Sequence, residues 1–296
     1  MATLRDIRVR MKTIAQTLKV TKAMNLISTA KLRKGRRLLT DTEPYFNRIQ
    51  RTMANLLHSA GHVESSYFDE KKEGRTCIIA VSSDKGLAGG YNANIFRYVL
   101  DVCKKVNTPI LILIGNIGQR YFVNSPYMTL ETFSFASQLP TLEKAREISE
   151  YVISQFEWGV FSEVRIVYTH MYNTLRLSPA ERILLPFNEE RMRLASSNSV
   201  FAEVEKKKPL NFEYIPSPEA VFNALAPQYI TGLVYGCLVE AYASEQSARM
   251  SAMDEATKNA RDILDRQKLF YNRTRQASIT QEVTEIVSGS SALTDA

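Results

Sequence analysis

The run CLVEAYASEQSARMSAMDEATKNARDILDRQKLFYNRTRQASITQEVTEIVS, residues 237–288, holds 52 residues without a glycine or proline. As an α-helix rising about 1.5 Å per residue it would reach about 78 Å, more than most globular domains can bury. Such a helix needs a partner of its own kind. Val234, Leu238, Ala241, Glu245, Ala248 and Ala252 recur at alternating steps of four and three. Ala256, Ala260, Ile263, Phe270 and Ala277 continue the seam, and Gln267 and Thr274 interrupt it. A narrow, alanine-rich seam predicts close pairing with another helix.

The partner is legible at the other end of the chain. Residues 1–34 contain no glycine or proline, and Leu4, Ile7, Met11, Ile14 and Leu18 mark one helical face. Beyond Gly35 and Pro44 a second apolar series, Phe46, Ile49, Met53, Leu56 and Leu57, extends helical character to about Gly61. Its seam has shifted, so a break at Pro44 and a bend or change of partner near residues 35–44 are expected.

Between these helices the pattern changes. TCIIAVSS (76–83), PILILIG (109–115) and EVRIVYTHM (163–171) are short runs rich in β-branched residues, separated by helical stretches near 92–106 and 141–157. ERILLPF (181–187) and NFEYIP (211–216) are candidates for further strands, with SSNS and KKKP marking a loop between them. The fold class expected is therefore α/β: a long antiparallel two-helix coiled coil formed by the N- and C-terminal helices, with an α/β domain inserted. The divisions expected are 1–61, 74–218 and 219–296.

Composition narrows the function. With 45% hydrophobic and 23% charged residues the chain is neither disordered nor fibrous, and no window approaches the roughly 18 apolar residues of a membrane span. Residues 1–37 carry eleven Lys and Arg against Asp6 alone, within a net charge of +7. Such a segment suits nucleic acid, anionic lipid, an acidic protein surface or plain solvation. The same 37 residues contain no Phe, Tyr or Trp, which counts against nucleic-acid recognition.

Catalytic and ligand motifs are missing. The glycines of SSDKGLAGGYNANI (82–95) fit neither phosphate-binding order, because Lys85 precedes them, so a structural strand-to-helix turn is favoured over a nucleotide loop. Neither a GxSxG elbow nor HExxH occurs. His58 and His62, four apart, have no third ligand nearby, and Cys77, Cys103 and Cys237 are widely spaced. No catalytic residue, metal or cofactor is expected.

ASEQSARMSAM (243–253) and NRTRQASITQEVTEIVSG (272–289) closely resemble the signature helix of F-type ATP synthase gamma subunits. The N-terminal MATLRDIRVRMKTIAQTLKVTKAMNLISTAKLRKG is similar to that family's other coil strand, and SSDKGLAGGYNANI to its first strand and turn. The departures are small: Ala88 stands where many relatives carry cysteine, Lys85 where many carry arginine, and there is no dithiol insertion. The missing transit peptide points to a bacterial source.

The resemblance implies a central rotor stalk whose coil enters a hexamer of alpha and beta subunits while a Rossmann-like domain meets the epsilon subunit and a ring of membrane c subunits. The chain would then be a non-catalytic, peripheral subunit on the cytoplasmic face of the cell membrane, with no nucleic-acid partner. Matched residue by residue, Met24, Arg249, Gln276 and Thr280 are the expected beta-subunit contacts. Lys206, Lys207, Lys208, Phe212 and Tyr214, a basic and aromatic loop, are the expected ring contact.

Overall fold

A computed structural model of the chain describes residues 3–71, 73–130, 133, 139–174, 176–190, 192 and 214–294, the last six by backbone alone. Helix α1 spans Leu4–Ala60, α2 Tyr91–Cys103, α3 Asn116–Phe122, α4 Leu142–Glu157 and α5 Pro218–Thr294. The strands are β1 Arg75–Val81, β2 Pro109–Ile114, β3 Met128–Leu130, β4 Phe161–Met171 and β5 Leu177–Leu185. They form one sheet in the order β3-β2-β1-β4-β5, in which only β5 runs antiparallel. Residues 193–213 lie outside the described residues, which takes in the first half of NFEYIP; its second half, Tyr214–Pro216, is irregular chain.

Period-two alternation distributes the sheet's side chains between two cores. Cys77, Ile79 and Val81 of β1 join Ile110, Ile112 and Ile114 of β2 on one face, covered by Ile148, Val152 and Phe156 of α4. The same core takes in Met53, Leu56 and Leu57 of α1 and Phe222, Ile230 and Val234 of α5. Ile78 and Ala80 point the other way with Leu111 and Leu113, against Ile95, Phe96 and Val99 of α2. Burial on both faces explains why these strands read as continuous apolar runs.

Helix α1 passes through Pro44 without interruption, contrary to the expected break. A proline inside a helix removes the hydrogen bond to the carbonyl four residues earlier. Here that carbonyl belongs to Thr40, and Thr40 and Pro44 are both exposed, so water can serve the orphaned acceptor. The change of partner is real: Ile49, Met53, Leu56 and Leu57 leave the coil seam for the core under the sheet.

Helix α5 runs from Pro218 through Pro227, Gly232 and Gly236 without a break. A glycine in a helix interior costs about 1 kcal/mol relative to alanine. At Gly232 the cost has a packing reason, since a Cβ there would sit 2.1 Å from Cδ1 of Phe46. The Phe46 ring lies over bare backbone.

The chain divides into two compact units: residues 29–249, containing the sheet, and residues 1–28 with 250–296, containing only helix.

Candidate interaction surfaces

In the helical unit the two segments pair antiparallel. Arg8 donates to the Tyr271 hydroxyl at 2.7 Å, the Thr21 and Thr257 hydroxyls meet at 2.8 Å, and Asn25 Nδ2 donates to the Met250 carbonyl at 3.0 Å. As numbers rise on one strand they fall on the other. The α1 seam keeps its 3/4 alternation through Leu4, Ile7, Met11, Ile14 and Leu18, and continues through Thr21, Asn25 and Ser28.

The opposing seam differs from the expectation. The expected positions Ala252, Ala256 and Ala260 are buried or half-buried, as are Met253, Thr257, Leu264, Gln267, Tyr271, Thr274 and Ser278, so Gln267 and Thr274 belong to the seam. Ile263, Phe270 and Ala277 stand outside it, each one residue before a seam position. Following the apolar residues thus led one step off beyond Ala260, because Gln267, Thr274 and Ser278 of the close-packed line are polar. Apolar groups face outward instead: Leu269, Val283 and Ile286 are 62%, 53% and 71% exposed, as are Val9, Val20 and Leu26 of α1 to a similar degree. All eleven cations of residues 1–37 are exposed on α1 as well.

Gln276 and Thr280 are exposed and share one face of α5, linked by a 2.9 Å bond from the Thr280 hydroxyl to the Gln276 carbonyl. Met24 belongs to the same unit and is half-buried on α1. Arg249 falls in the other unit, so the structure brings only Gln276 and Thr280 together. Its guanidinium is engaged internally rather than presented outward: Nη1 bonds Glu245 Oε1 at 2.6 Å, and Nη2 reaches the carbonyls of Lys85 at 2.9 Å and Gly86 at 3.3 Å. The paired side chains are 9% and 6% exposed. Glu245 is the residue that sequence reasoning placed on a seam without assigning it a role; a carboxylate among alanines was the available signal.

The glycine turn that Arg249 holds is closed upon itself. The Ser83 backbone N–H donates to Asn92 Oδ1 at 3.1 Å, Asn92 Nδ2 returns a 2.7 Å bond to the Ser83 hydroxyl, and Asp84 accepts from the Asn116 N–H at 3.2 Å. Next to it, Gly115 lies so tightly on Ser82 that a Cβ would fall 2.3 Å from the Ser82 carbonyl oxygen. Tyr91, at the start of α2, is buried and donates to the Ala241 carbonyl at 3.2 Å, and its burial raises the phenol's pKa well above the ordinary value. The turn spends its polar groups on its own chain, the arrangement of a structural junction.

Lys206, Lys207, Lys208 and Phe212 lie outside the described residues. Tyr214 is half-buried against the main core, and its hydroxyl accepts from Ser59 Oγ at 3.2 Å near the end of α1. Among the described residues no helix is long and apolar enough to cross a membrane.

A family profile described as "ATP synthase" matches residues 3–293. The ATP synthase gamma chain of Acetivibrio thermocellus is 41% identical over 99% of this chain and 100% of its own length. The chain belongs to the ATP synthase gamma-chain family. The family's gamma chain from Ruminiclostridium cellulolyticum is 43% identical, with 98% of each chain covered. Among solved structures, a chain in the Euglena gracilis mitochondrial ATP synthase has a similar fold, with a TM-score of 0.62 at 16% identity over 98% of this chain and 94% of that one. Family membership makes this chain a subunit of an ATP synthase and gives the outward-facing apolar residues of its coil a context.

Proposed function

We propose that this chain is the central rotor stalk of a rotary ATP synthase, turning inside a hexamer of alpha and beta subunits and coupling ion flow through a membrane c-ring to ATP synthesis or hydrolysis. The observation that carries the reading is the coil of residues 1–28 and 250–296. Its α5 side is rich in small and polar residues, while further valine, leucine, isoleucine and phenylalanine side chains face outward. Exposed apolar side chains of this extent mark a surface made to be surrounded. A collar of other subunits accounts for them, and acidic groups on that collar would match the exposed cations of α1.

The chain itself is non-catalytic in this account and sits at the cytoplasmic face of the membrane as a peripheral subunit. Gln276 and Thr280 offer exposed amide and hydroxyl groups for contacts that form and break against the beta subunits, and Met24 is a further contact position. Arg249 joins those contacts only in rotational states in which it leaves its buried pair with Glu245. The segment of Lys206, Lys207, Lys208, Phe212 and Tyr214 meets the c-ring, near the epsilon subunit.

Copurification provides the test. The chain expressed with its neighbouring subunits should isolate in one complex with alpha and beta subunits, and calorimetry on the purified chain should show no stoichiometric ATP binding. A free monomer that binds ATP at micromolar concentration would overturn the reading.

A further inference from the structure

Helix α5 is buried on all sides from Ala241 to Ser247, although Ser244, Glu245, Gln246 and Ser247 are polar. One side rests on α1, where a Cβ on Gly35 would come within 3.1 Å of the Tyr242 ring. The opposite side carries a row of polar groups at spacings of four and three, Glu240, Ser244 and Ser247. Each meets a main-chain group at or just beyond the carboxyl end of β4. Glu240 Oε1 accepts from the Met171 N–H at 3.1 Å, the Ser244 hydroxyl donates to the Thr169 carbonyl at 2.9 Å, and the Ser247 hydroxyl donates to the Thr174 carbonyl at 2.8 Å.

Apolar packing resists separation of two elements but is non-directional, and packed helices can shift by a whole turn along a neighbour. A hydrogen bond to a fixed main-chain group is directional and fails when the helix slides or rotates. Three of them in line, on successive turns, oppose rotation of α5 about its own axis relative to the sheet. These three partners are backbone atoms, which a rotamer change in the sheet cannot withdraw; Glu240 Oε1 also meets His170 Nδ1 of β4 at 2.5 Å.

We infer that Glu240, Ser244 and Ser247 form a spline that keys α5 to the carboxyl end of β4, so that torque applied to the α/β domain reaches the helix without slip. The inference rests on the rotor reading above. The three are positioning residues for coupling and touch no nucleotide.

The test uses the assembled synthase in sealed vesicles, comparing ATP hydrolysis with the membrane potential it generates, and adds torsional stiffness measured on single complexes with a bead on the α/β domain. In Glu240→Ala/Ser244→Ala/Ser247→Ala complexes hydrolysis should persist, whereas potential generated per ATP hydrolysed should fall at least about fivefold and stiffness should drop, since each of the three lost bonds changes the slip equilibrium by about that factor. Glu240→Gln, which keeps an oxygen for the Met171 N–H, should restore coupling relative to Glu240→Ala. Should the triple variant not assemble, Ser247→Ala alone must still lower the ratio. Unchanged coupling and stiffness in whichever variant assembles would overturn the spline, as would equal defects in Glu240→Gln and Glu240→Ala. A wild-type chain that neither assembles with the hexamer nor rotates would instead refute the rotor reading.

Discussion

Replacing Arg249 by alanine should cost stability before it costs any contact with another subunit. Its guanidinium is 9% exposed, lies 2.6 Å from Glu245, and also serves two carbonyls of the glycine turn. Truncating one member of a buried ion pair costs about 3–5 kcal/mol, because the other charge is left uncompensated. Lys85 and Gly86 are exposed, so water can satisfy their carbonyls and the loss should lie near the lower end, at about 3 kcal/mol. Arg249→Lys keeps the charge but not the planar fork, and should cost roughly 1–2 kcal/mol. Removing both partners leaves no stranded charge, so Glu245→Ala/Arg249→Ala should fall short of the summed single losses by at least about 1 kcal/mol. Equilibrium urea unfolding of the purified chain, followed by circular dichroism, measures all four. A loss below about 0.5 kcal/mol for Arg249→Ala, or strict additivity, would refute the buried clamp. Reduced turnover in Arg249→Ala complexes can therefore be assigned to rotor contact only after the clamp's contribution is subtracted.

Gly232→Ala should destabilise by about 1–2 kcal/mol despite alanine's better helix propensity, because its methyl collides with Phe46, and in a Phe46→Ala background it should stabilise by about 1 kcal/mol; the same unfolding assay reads both. Burial and then Glu157 push the Tyr67 phenol up to about 12, and burial pushes the Cys237 thiol up to about 12. A raised folded-state pKa stabilises fully below the unfolded value and loses that contribution as pH climbs through the folded value, so unfolding free energy should fall between about pH 9 and 12, Cys237 acting from the lower end and Tyr67 from about pH 10. Tyr67→Phe should flatten part of that fall. Gln276→Ala and Thr280→Ala alter exposed groups and should leave the chain's stability within about 0.5 kcal/mol while lowering hydrolysis by the assembled complex; normal rates in both would remove these residues from the beta contact.

Strong local signals were readable in the residues. The β-branched runs became β1, β2, β4 and β5, and the glycine-free stretches became long helices, because burial on both sheet faces and the 3/4 repeat leave direct patterns in sequence. Strand β3, three residues long, leaves no such pattern. The expected break at Pro44 was a misreading, because that proline sits on an exposed face of a continuous helix where water can serve the freed carbonyl. The α5 seam held through Ala252, Ala256 and Ala260 but was misplaced by one position at Ile263, Phe270 and Ala277, where the line turns partly polar and neighbouring apolar residues point outward. For the site, the exposed positions of Gln276 and Thr280 came through resemblance, but the burial of Arg249 depends on a turn 160 or more positions away in the chain, beyond the reach of periodicity.

The most direct test of the rotor account is rotation itself. With the alpha and beta subunits fixed to a surface and a probe attached to the α/β domain through a cysteine at exposed Trp158, ATP should drive stepwise rotation in one direction. A complex that hydrolyses ATP at full rate while this probe stays still, with the chain shown to be present, would contradict it.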